Sequence, residues 1–533
     1  APASPCFQGG RRPIAAMDDD EFDPFADPAD DTEARAAEAL AEAQTKELAA
    51  QGAAATAGAG EAAAAPQGQA ERPNTQRPYD LVVYGATGYT GCLVLEHLDA
   101  LLSEPGAKAH RWAAAGRSRE KLEKAAGKCK TVSGVCVATT EEELESMAAS
   151  CFVVINCVGP FLWYGPAVVA ACLKAGTHYV DVSGEVVFAR RIIDAYSSAA
   201  KDQGLMVVPY CGYDAAVFDI GGYLLAKKLG PLTLLREYWI CHPIPPKGGP
   251  ALSGIAMTAS ATWEEIENFR SPFSLGGERE CGVREEDLEP TEAVQDTIFP
   301  SVWVSLGLLS RVTLRCVRWT VGLFEERPVE GLVYGKGICV SSVGASLKRL
   351  QANDRARNSV LPQSAEEQAA FAAGGQQALD RGERGVPGLG PGRAMRAELR
   401  SESLFVAQGE SGEWAHVHYK GPEVSEATAI PAVAAALVLL EEPERLAPGE
   451  RGGVLTPGFA FHGSSWLERV AGQRFALLPE ARPMAFELHD GKPSEDYLLE
   501  VMKDAQAGYN LYVKQMMAGT LPNGGNEVPD LLA

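Results

Sequence analysis

The run from Gly85 to Gly91 reads GATGYTG, three glycines spaced three apart, directly after the apolar run Tyr79–Tyr84. A loop of this kind can hold phosphate. Gly85 lets the chain turn sharply out of a strand, Gly88 lets the backbone approach a pyrophosphate, and Gly91 lets the next helix pack close to the strand. The free N–H groups and positive dipole at that helix start then favour the anion. Thr87, Tyr89 and Thr90 ride in the same loop and are expected to share the contact. Further on, Arg111–Gly116 is followed by Arg117-Ser118-Arg119, with no acid before Glu120. An enzyme that takes NAD usually ends this strand in a carboxylate that holds the ribose 2′-hydroxyl. Here Arg117 can instead make charge-assisted hydrogen bonds to a 2′-phosphate and stack on adenine, with Ser118 adding a hydroxyl. The expected cofactor is therefore NADP(H).

Three later segments end strands and could meet the other end of such a cofactor. Asn156 to Pro160 includes Gly159 and Pro160, expected beside the nicotinamide, and Tyr164 follows with a phenol able to donate a proton. Asp181 to Glu185 and Gly212 to Asp214 close the next two strands. Hydride transfer needs a protein group that orients the substrate and supplies a proton. Tyr164 is the first candidate acid, and Asp181 or Glu185 the second. The competing readings are structural: a packed tyrosine with a satisfied hydroxyl, and an aspartate that caps the next helix. No metal site is expected. His416 and His418 alternate on one face of a strand, but no third ligand lies at a sensible spacing.

The elements that must position these residues follow from periodicity. Buried-type strands are predicted at Tyr79–Tyr84, Arg111–Gly116, Val132–Ala138, Phe152–Val158, His178–Val182 and Leu205–Tyr210, with helices between them. The helix after the fourth strand has Pro166 near its first turn and Gly176 just past its end. Strands alternating with helices imply a Rossmann-type, doubly wound parallel sheet. A Gly-rich turn in a nucleotide-free α/β domain is the plainer reading of GATGYTG. Its place between a strand and a helix, at the head of six βα units, favours the nucleotide.

These segments resemble the saccharopine dehydrogenase-like oxidoreductases, a family that includes trans-acting enoyl reductases of lipid synthesis. The resemblance rests on GATGYTG (85–91), AAGRSREKL (114–122), VINCVGPFLWYG (154–165), YVDVSGE (179–185) and GYD (212–214), then KGPE (420–423) and GGVLTPGFAF (452–461). It runs from about Asp80 to Leu467 and is weak between Ser271 and Arg396. It implies an NADP-binding Rossmann domain and a second α+β domain that covers the nicotinamide end. After GYD the family commonly continues with a Ser-x-Pro-like sequence, where this chain has Ala215-Ala216-Val217-Phe218-Asp219.

The expected organisation is an acidic, Ala-rich disordered tail (1–77), the Rossmann domain (78–222), an α+β substrate domain (223–493) with a Gly-rich loop at 374–393, and a C-terminal helix and tail (494–533). The tail carries 14 acids and 6 bases, with hardly an aromatic after Phe25, too little apolar surface to offset ordering entropy. A short helix from Thr32 to Ala50 is conceivable within it. In the second domain a strand is predicted at Leu232–Cys241, a helix at Ser253–Phe269, a hairpin of Glu398–Gln408 with Glu413–Lys420, an apolar helix at Ala427–Glu441 too short to span a bilayer, and a final helix at Tyr497–Met517. Phe299–Phe324 places Arg311, Arg315 and Arg318 at helical spacing among tryptophans and leucines. That suits either a helix lying on a lipid surface or a buried helix whose arginines pair with Glu325 and Glu326.

Composition sets the outer limits. The net charge is −22, against general nucleic-acid binding and against a polybasic membrane anchor. The 12 cysteines form no C-x-x-C pair and read as reduced thiols of an intracellular protein, cytoplasmic or peripheral on a lipid droplet or organelle membrane, with plastid and mitochondrion left open. The expected partners are a small-molecule or lipid-like substrate and a second copy of the chain in a homodimer. The leading function is NADP(H)-dependent hydride transfer to or from a hydrophobic, lipid-linked carbonyl or enoyl group. The rival is a non-catalytic lipid-surface scaffold that keeps a Rossmann fold.

Overall fold

The computed structural model describes residues 77–240, 290, 292–307, 309–335, 338–357, 390–446, 452–504, 526–527 and 531. The tail, the helix predicted at Ser253–Phe269, most of the Gly-rich loop and the end of the helix predicted at Tyr497–Met517 lie outside them; residues 495–504 of that last helix are helical. Arg77, counted with the tail, docks on the domain. It donates to Thr177 Oγ1 at 2.7 Å and to the Ala175 carbonyl at 2.6 Å, and its guanidinium lies over the Phe152 ring.

The first layer is the predicted alternation: β1 (Leu81–Tyr84), α1 (Tyr89–Leu102), β2 (Trp112–Gly116), α2 (Arg119–Ala126), β3 (Gly134–Val137), α3 (Glu141–Ala149), β4 (Val153–Asn156), α4 (Phe161–Ala175), β5 (His178–Asp181), α5 (Val186–Asp202), β6 (Met206–Val208) and α6 (Tyr213–Leu229). The sheet is parallel, in the order β3-β2-β1-β4-β5-β6, so the chain reverses direction between β1 and β4, where open α/β sheets bind ligands. β1, β2 and β4 are buried along their whole length, which is why they read as continuous apolar runs. Pro166 is the sixth residue of α4 rather than part of its first turn, because the helix starts directly after Pro160. Gly176 ends it in the left-handed region, φ 66°. After Gly212 the chain forms no open loop: Tyr213–Leu229 is a single helix that runs through residue 222.

The second layer is a mixed sheet around β7 (Leu232–Trp239). With β8 (Val294–Gln295), β9 (Trp303–Ser305), α7 (Ser310–Glu326), β10 (Cys339–Ser346), α8 (Arg349–Arg357), β11 (Gly390–Pro391), α9 (Arg393–Glu398), β12 (Ser401–Gly409), β13 (Trp414–Gly421), α10 (Val424–Glu441), β14 (Gly453–Val454), α11 (Pro457–Ala460), α12 (Trp466–Val470) and β15 (Ala485–Asp490), its order is β15-β13-β12-β7-β10-β9-β8. β12 and β13 form the predicted hairpin. One face holds a core of Tyr238, Phe299, Val302, Val343, Leu404 and Leu498. The other face meets α6 and α7.

Two late segments return to the first sheet. β14 pairs in parallel with β6, Gly453 beside Met206 and Val454 beside Val207, as a seventh strand. The apolar α10 packs against α1, β4 and β5. It is 18 residues long with mean hydropathy 1.6, and 83% of it is buried in the fold, so it is a core helix here. The lipid-surface reading of Phe299–Phe324 is overturned. Its first part supplies β9, and α7 is buried on nearly every side, Arg311, Arg315 and Arg318 included. Arg318 donates to the Val340 carbonyl at 2.7 Å and Arg315 to that of Arg311 at 2.9 Å. His416 and His418 bond to the Gly491 carbonyl and to Glu402 with Tyr497, and no group of three metal-ligating residues occurs among the described residues.

Candidate functional site at the carboxyl edge of the parallel sheet

Register alone brings several predicted residues together. Tyr84 pairs with Asn156, and Asn156 with Asp181, so the last rungs of β1, β4 and β5 lie side by side. The loops after β1 and β4 are in contact: a Cβ on Gly85, φ 84°, would lie 2.9 Å from the Cys157 carbonyl carbon and 2.8 Å from Val158 Cγ2. A Cβ on Gly91 would lie 2.0 Å from the Gly85 carbonyl oxygen, so only glycine lets α1 pack on its own loop. Gly88 differs. A Cβ there would meet only the Gly85 oxygen, at 3.3 Å, and its other side is open. Gly91 and Gly85 therefore build the loop, and Gly88 leaves room beside it.

The N-terminus of α1 fits a phosphate. Gly88 caps it without a side chain, and its first turn holds no acid. Neighbouring helix starts are already served: Ser118 caps α2, Thr140 and Glu143 form a capping box on α3, and Glu185 caps α4. Thr87 and Thr90 are half-buried in the loop. Tyr89 is engaged elsewhere. Its ring is buried, its hydroxyl donates to the Pro391 carbonyl at 2.7 Å, and Arg396 reaches that hydroxyl at 3.5 Å, so its backbone rather than its phenol faces the open side. Arg117 is exposed at the end of β2, and Ser118 accepts from Lys121 N at 3.4 Å as the α2 N-cap. The donor set present, a bare glycine-capped helix start with an arginine at the next strand end, suits an NADP pyrophosphate and 2′-phosphate.

The candidate acids separate clearly. Asp181 is fully buried. Its Oδ1 accepts from Ser183 N at 2.9 Å and Tyr210 N at 3.1 Å, and its Oδ2 accepts from the Tyr179 hydroxyl at 2.9 Å. That hydroxyl also takes Asn156 Nδ2 at 3.0 Å, while Asn156 Oδ1 receives Val158 N at 3.0 Å. Burial pushes Asp181 up to about 6 against these hydrogen bonds. Asn156, Tyr179 and Asp181 thus form one buried brace under the loops after β4, β5 and β6. Glu185 accepts from Phe161 N at 2.7 Å and Leu162 N at 2.9 Å. Tyr164 is 39% exposed on the first turn of α4, within electrostatic reach of Tyr84. Pro160 is the N-cap of α4 and Gly159 precedes it. Of the three candidate acids, only Tyr164 is exposed.

Residues 81–208 match the family model described as the saccharopine dehydrogenase NADP binding domain. Residues 81–208 are a saccharopine dehydrogenase NADP-binding domain. The cofactor of this domain is NADP(H), in keeping with Arg117 where an NAD domain carries an acid. The saccharopine dehydrogenase-like oxidoreductases of Bos taurus and Homo sapiens are 38% and 34% identical to this chain, over 31% and 32% of its length and 41% and 43% of theirs. The match thus spans about two fifths of these relatives. A trans-acting enoyl reductase of Mycobacterium tuberculosis is 29% identical over 74% of this chain and 96% of its own. An apo saccharopine dehydrogenase (L-Glu forming) from Saccharomyces cerevisiae superposes with a TM-score of 0.37 at 13% identity, covering 78% of this chain and 100% of that one.

Spacing did not single out two further acids. Asp219, in α6, accepts from Gly458 N at 2.6 Å and is pushed up to about 7 by burial. A Cβ on Gly458 would lie 2.7 Å from that carboxyl carbon, and the only sequence signal was the glycine in GGVLTPGFAF. Glu237 sits on the central strand of the second sheet, where its apolar neighbours made it read as part of a plain strand.

Proposed function

We propose that this protein is an NADP(H)-dependent oxidoreductase that transfers hydride to or from a hydrophobic carbonyl or enoyl substrate. The observation that carries the reading is the α1 N-terminus: glycine-capped, without an acid, and one strand away from Arg117. When bound, the nicotinamide supplies or accepts the hydride. The chain's own residues do the rest. Gly88 and the first amides of α1 hold the pyrophosphate, Arg117 and Ser118 hold the 2′-phosphate, and Asn156 fixes the Val158 amide in the loop nearest the switch point of the sheet. The second sheet with α6 and α7 excludes water from the far side.

An enoyl group is the favoured reacting end, because a relative named trans-acting enoyl reductase matches along most of this chain, and the family resemblance implies a lipid-linked substrate. Such a substrate implies work beside a lipid droplet or organelle membrane, which flotation with lipid droplets checks. The rival is the non-catalytic lipid-surface scaffold, which the turnover assay separates from the enzyme.

The test is calorimetric titration of the purified protein with NADPH and NADH, then NADPH consumption against a panel of enoyl and ketoacyl thioesters. Submillimolar NADPH binding with turnover on at least one chain length is expected. No NADPH binding sinks the proposal. Binding without turnover on any panel member restores the scaffold.

A further inference from the structure

Tyr89 opens α1 and so carries one of the amides free to meet a pyrophosphate, yet its side chain serves a segment far along the chain. The residue is 3% exposed, and its hydroxyl donates at 2.7 Å to the carbonyl of Pro391, 302 residues later. A Cβ on Gly390 would lie 2.4 Å from Tyr89 Cζ and 2.5 Å from each Cε, so the bare Gly390 backbone rests on the ring. β11 in turn pairs antiparallel with Asn526–Glu527, Gly390 beside Glu527 and Pro391 beside Asn526.

Arg396, on α9, completes the arrangement and is 4% exposed. Its Nη1 donates to the Pro391 carbonyl at 3.1 Å and reaches the Tyr89 hydroxyl at 3.5 Å, while its Nε donates to Glu426 Oε1 on α10 at 2.8 Å. Arg393, on the same helix, stands 4.0 Å from Glu96 of α1 and 3.3 Å from Glu480. α1, α9 and α10 therefore meet in one buried, charge-assisted network. A phenol held at both its face and its hydroxyl leaves the Tyr89 backbone little freedom. The first amides of α1 are then aimed before an anion arrives, which lowers the cost of binding it. Gly88, the N-cap, makes no side-chain hydrogen bond that could do this.

We propose that Tyr89 and Arg396 form a latch through which the segment from Gly390 to Arg396 positions the pyrophosphate-binding amides of α1, so that seating of this segment and binding of the dinucleotide favour each other. The proposal rests on the cofactor reading above and adds a second part of the chain to that site. Arg396 is a positioning residue: it acts on the cofactor only through the Tyr89 ring. Linkage makes the effect reciprocal, so the factor that the latch adds to dinucleotide affinity returns as tighter seating of the segment once the dinucleotide is bound. The latch acts at the pyrophosphate end. It should strengthen NADPH and NADH equally, whereas Arg117 acts on the 2′-phosphate.

Tyr89→Phe removes the hydroxyl and keeps the ring. In titration calorimetry its affinities for NADPH and NADH should both fall by about tenfold, with the preference between them unchanged. Adenosine 2′-phosphate, which has no pyrophosphate, should bind as it does to wild type. Gly390→Ala, whose methyl must displace the Tyr89 ring, should do the same without touching either polar group. In amide exchange read by mass spectrometry, saturating NADPH should slow exchange in peptides spanning 390–398 of wild type. That protection should shrink in Tyr89→Phe, although peptides spanning 85–95 stay protected. If Tyr89→Phe fails to fold, Arg396→Lys serves: it keeps a charge facing Glu426, loses the fork that spans Glu426, Pro391 and Tyr89, and should weaken both dinucleotides alike. A latch with only a structural role would lower the melting temperature and leave both affinities within about twofold. That result overturns the proposal, as does exchange at 390–398 unaltered by NADPH in wild type, or an equal loss for adenosine 2′-phosphate. Failure of wild type to bind NADPH would instead overturn the parent reading.

Discussion

The carboxylate of Glu185 closes the amino end of the helix that begins at Phe161, 24 residues earlier, taking the Phe161 amide at 2.7 Å and the Leu162 amide at 2.9 Å. A residue that could have served as a catalytic acid is thereby spent on holding the start of α4 in place. A bidentate acceptor at a helix start satisfies two of the donors that the helix itself leaves orphaned and complements its dipole.

Glu185→Ala should accordingly lower stability by about 2–4 kcal/mol, since each buried donor left unpaired costs about 1–3 kcal/mol. Glu185→Gln keeps one acceptor and should lose about half as much. Urea denaturation of the two variants measures this. A loss within experimental error of zero for Glu185→Ala would show that the cap is not formed.

Two of the loop glycines should fail in different ways. Gly91→Ala places a methyl 2.0 Å from the Gly85 oxygen, so the helix must shift. Overpacking of that kind costs about 1–3 kcal/mol, seen as a lower melting temperature with or without nucleotide. Gly88→Val meets little protein and should keep the fold while blocking the pyrophosphate. Unchanged NADPH affinity in Gly88→Val would remove this loop from the cofactor site.

Arg117→Ala should weaken NADPH by about ten- to hundredfold, as charge-assisted contacts of about 1.5–3 kcal/mol imply, and leave NADH nearly untouched. Equal losses for both cofactors, measured by titration calorimetry, would place the 2′-phosphate elsewhere.

Stability should rise as the solution is acidified from about pH 8 toward 5. Burial raises Asp181 to about 6, and Asp219 and Glu423 to about 7. Between the unfolded carboxyl range and those values the folded state binds more protons than the unfolded one, so this stabilisation is full at the acid side of the window and fades as pH climbs through 6 to 7. Below it the slope reverses, because carboxylates held low, such as Glu487 beside Lys420, must then be protonated. Glu423→Gln should flatten the curve between pH 5 and 7; each pKa unit is worth about 1.4 kcal/mol. Denaturation midpoints across that range decide the matter, and an unchanged slope in Glu423→Gln would count against a raised Glu423.

The amino-acid order by itself determined the first sheet. Buried parallel strands read as apolar runs, and each of the six is where periodicity puts it; β1, β2 and β4 are covered along their whole length, while β3 at the sheet edge is half-buried. Gly85 and Gly91 were legible for a related reason: the sharp turn and the close helix approach follow from backbone geometry at fixed offsets from a strand. Tertiary structure decided what depends on segments far apart in sequence. The seventh strand, Gly453–Val454, is two residues long and acquires its meaning only beside Met206 and Val207. α7 has the charge spacing of a surface helix, yet the packing of α6 and β10 around it buries its arginines. Asp181 and Glu185 looked like candidate acids because residue type and strand-end position are local, whereas their engagement by Tyr179, Tyr210 and Phe161 is not. Glu237 was hidden for the same reason. A lone acid in a strand carries no signal until the sheet sets Ser342 and Ser403 against it.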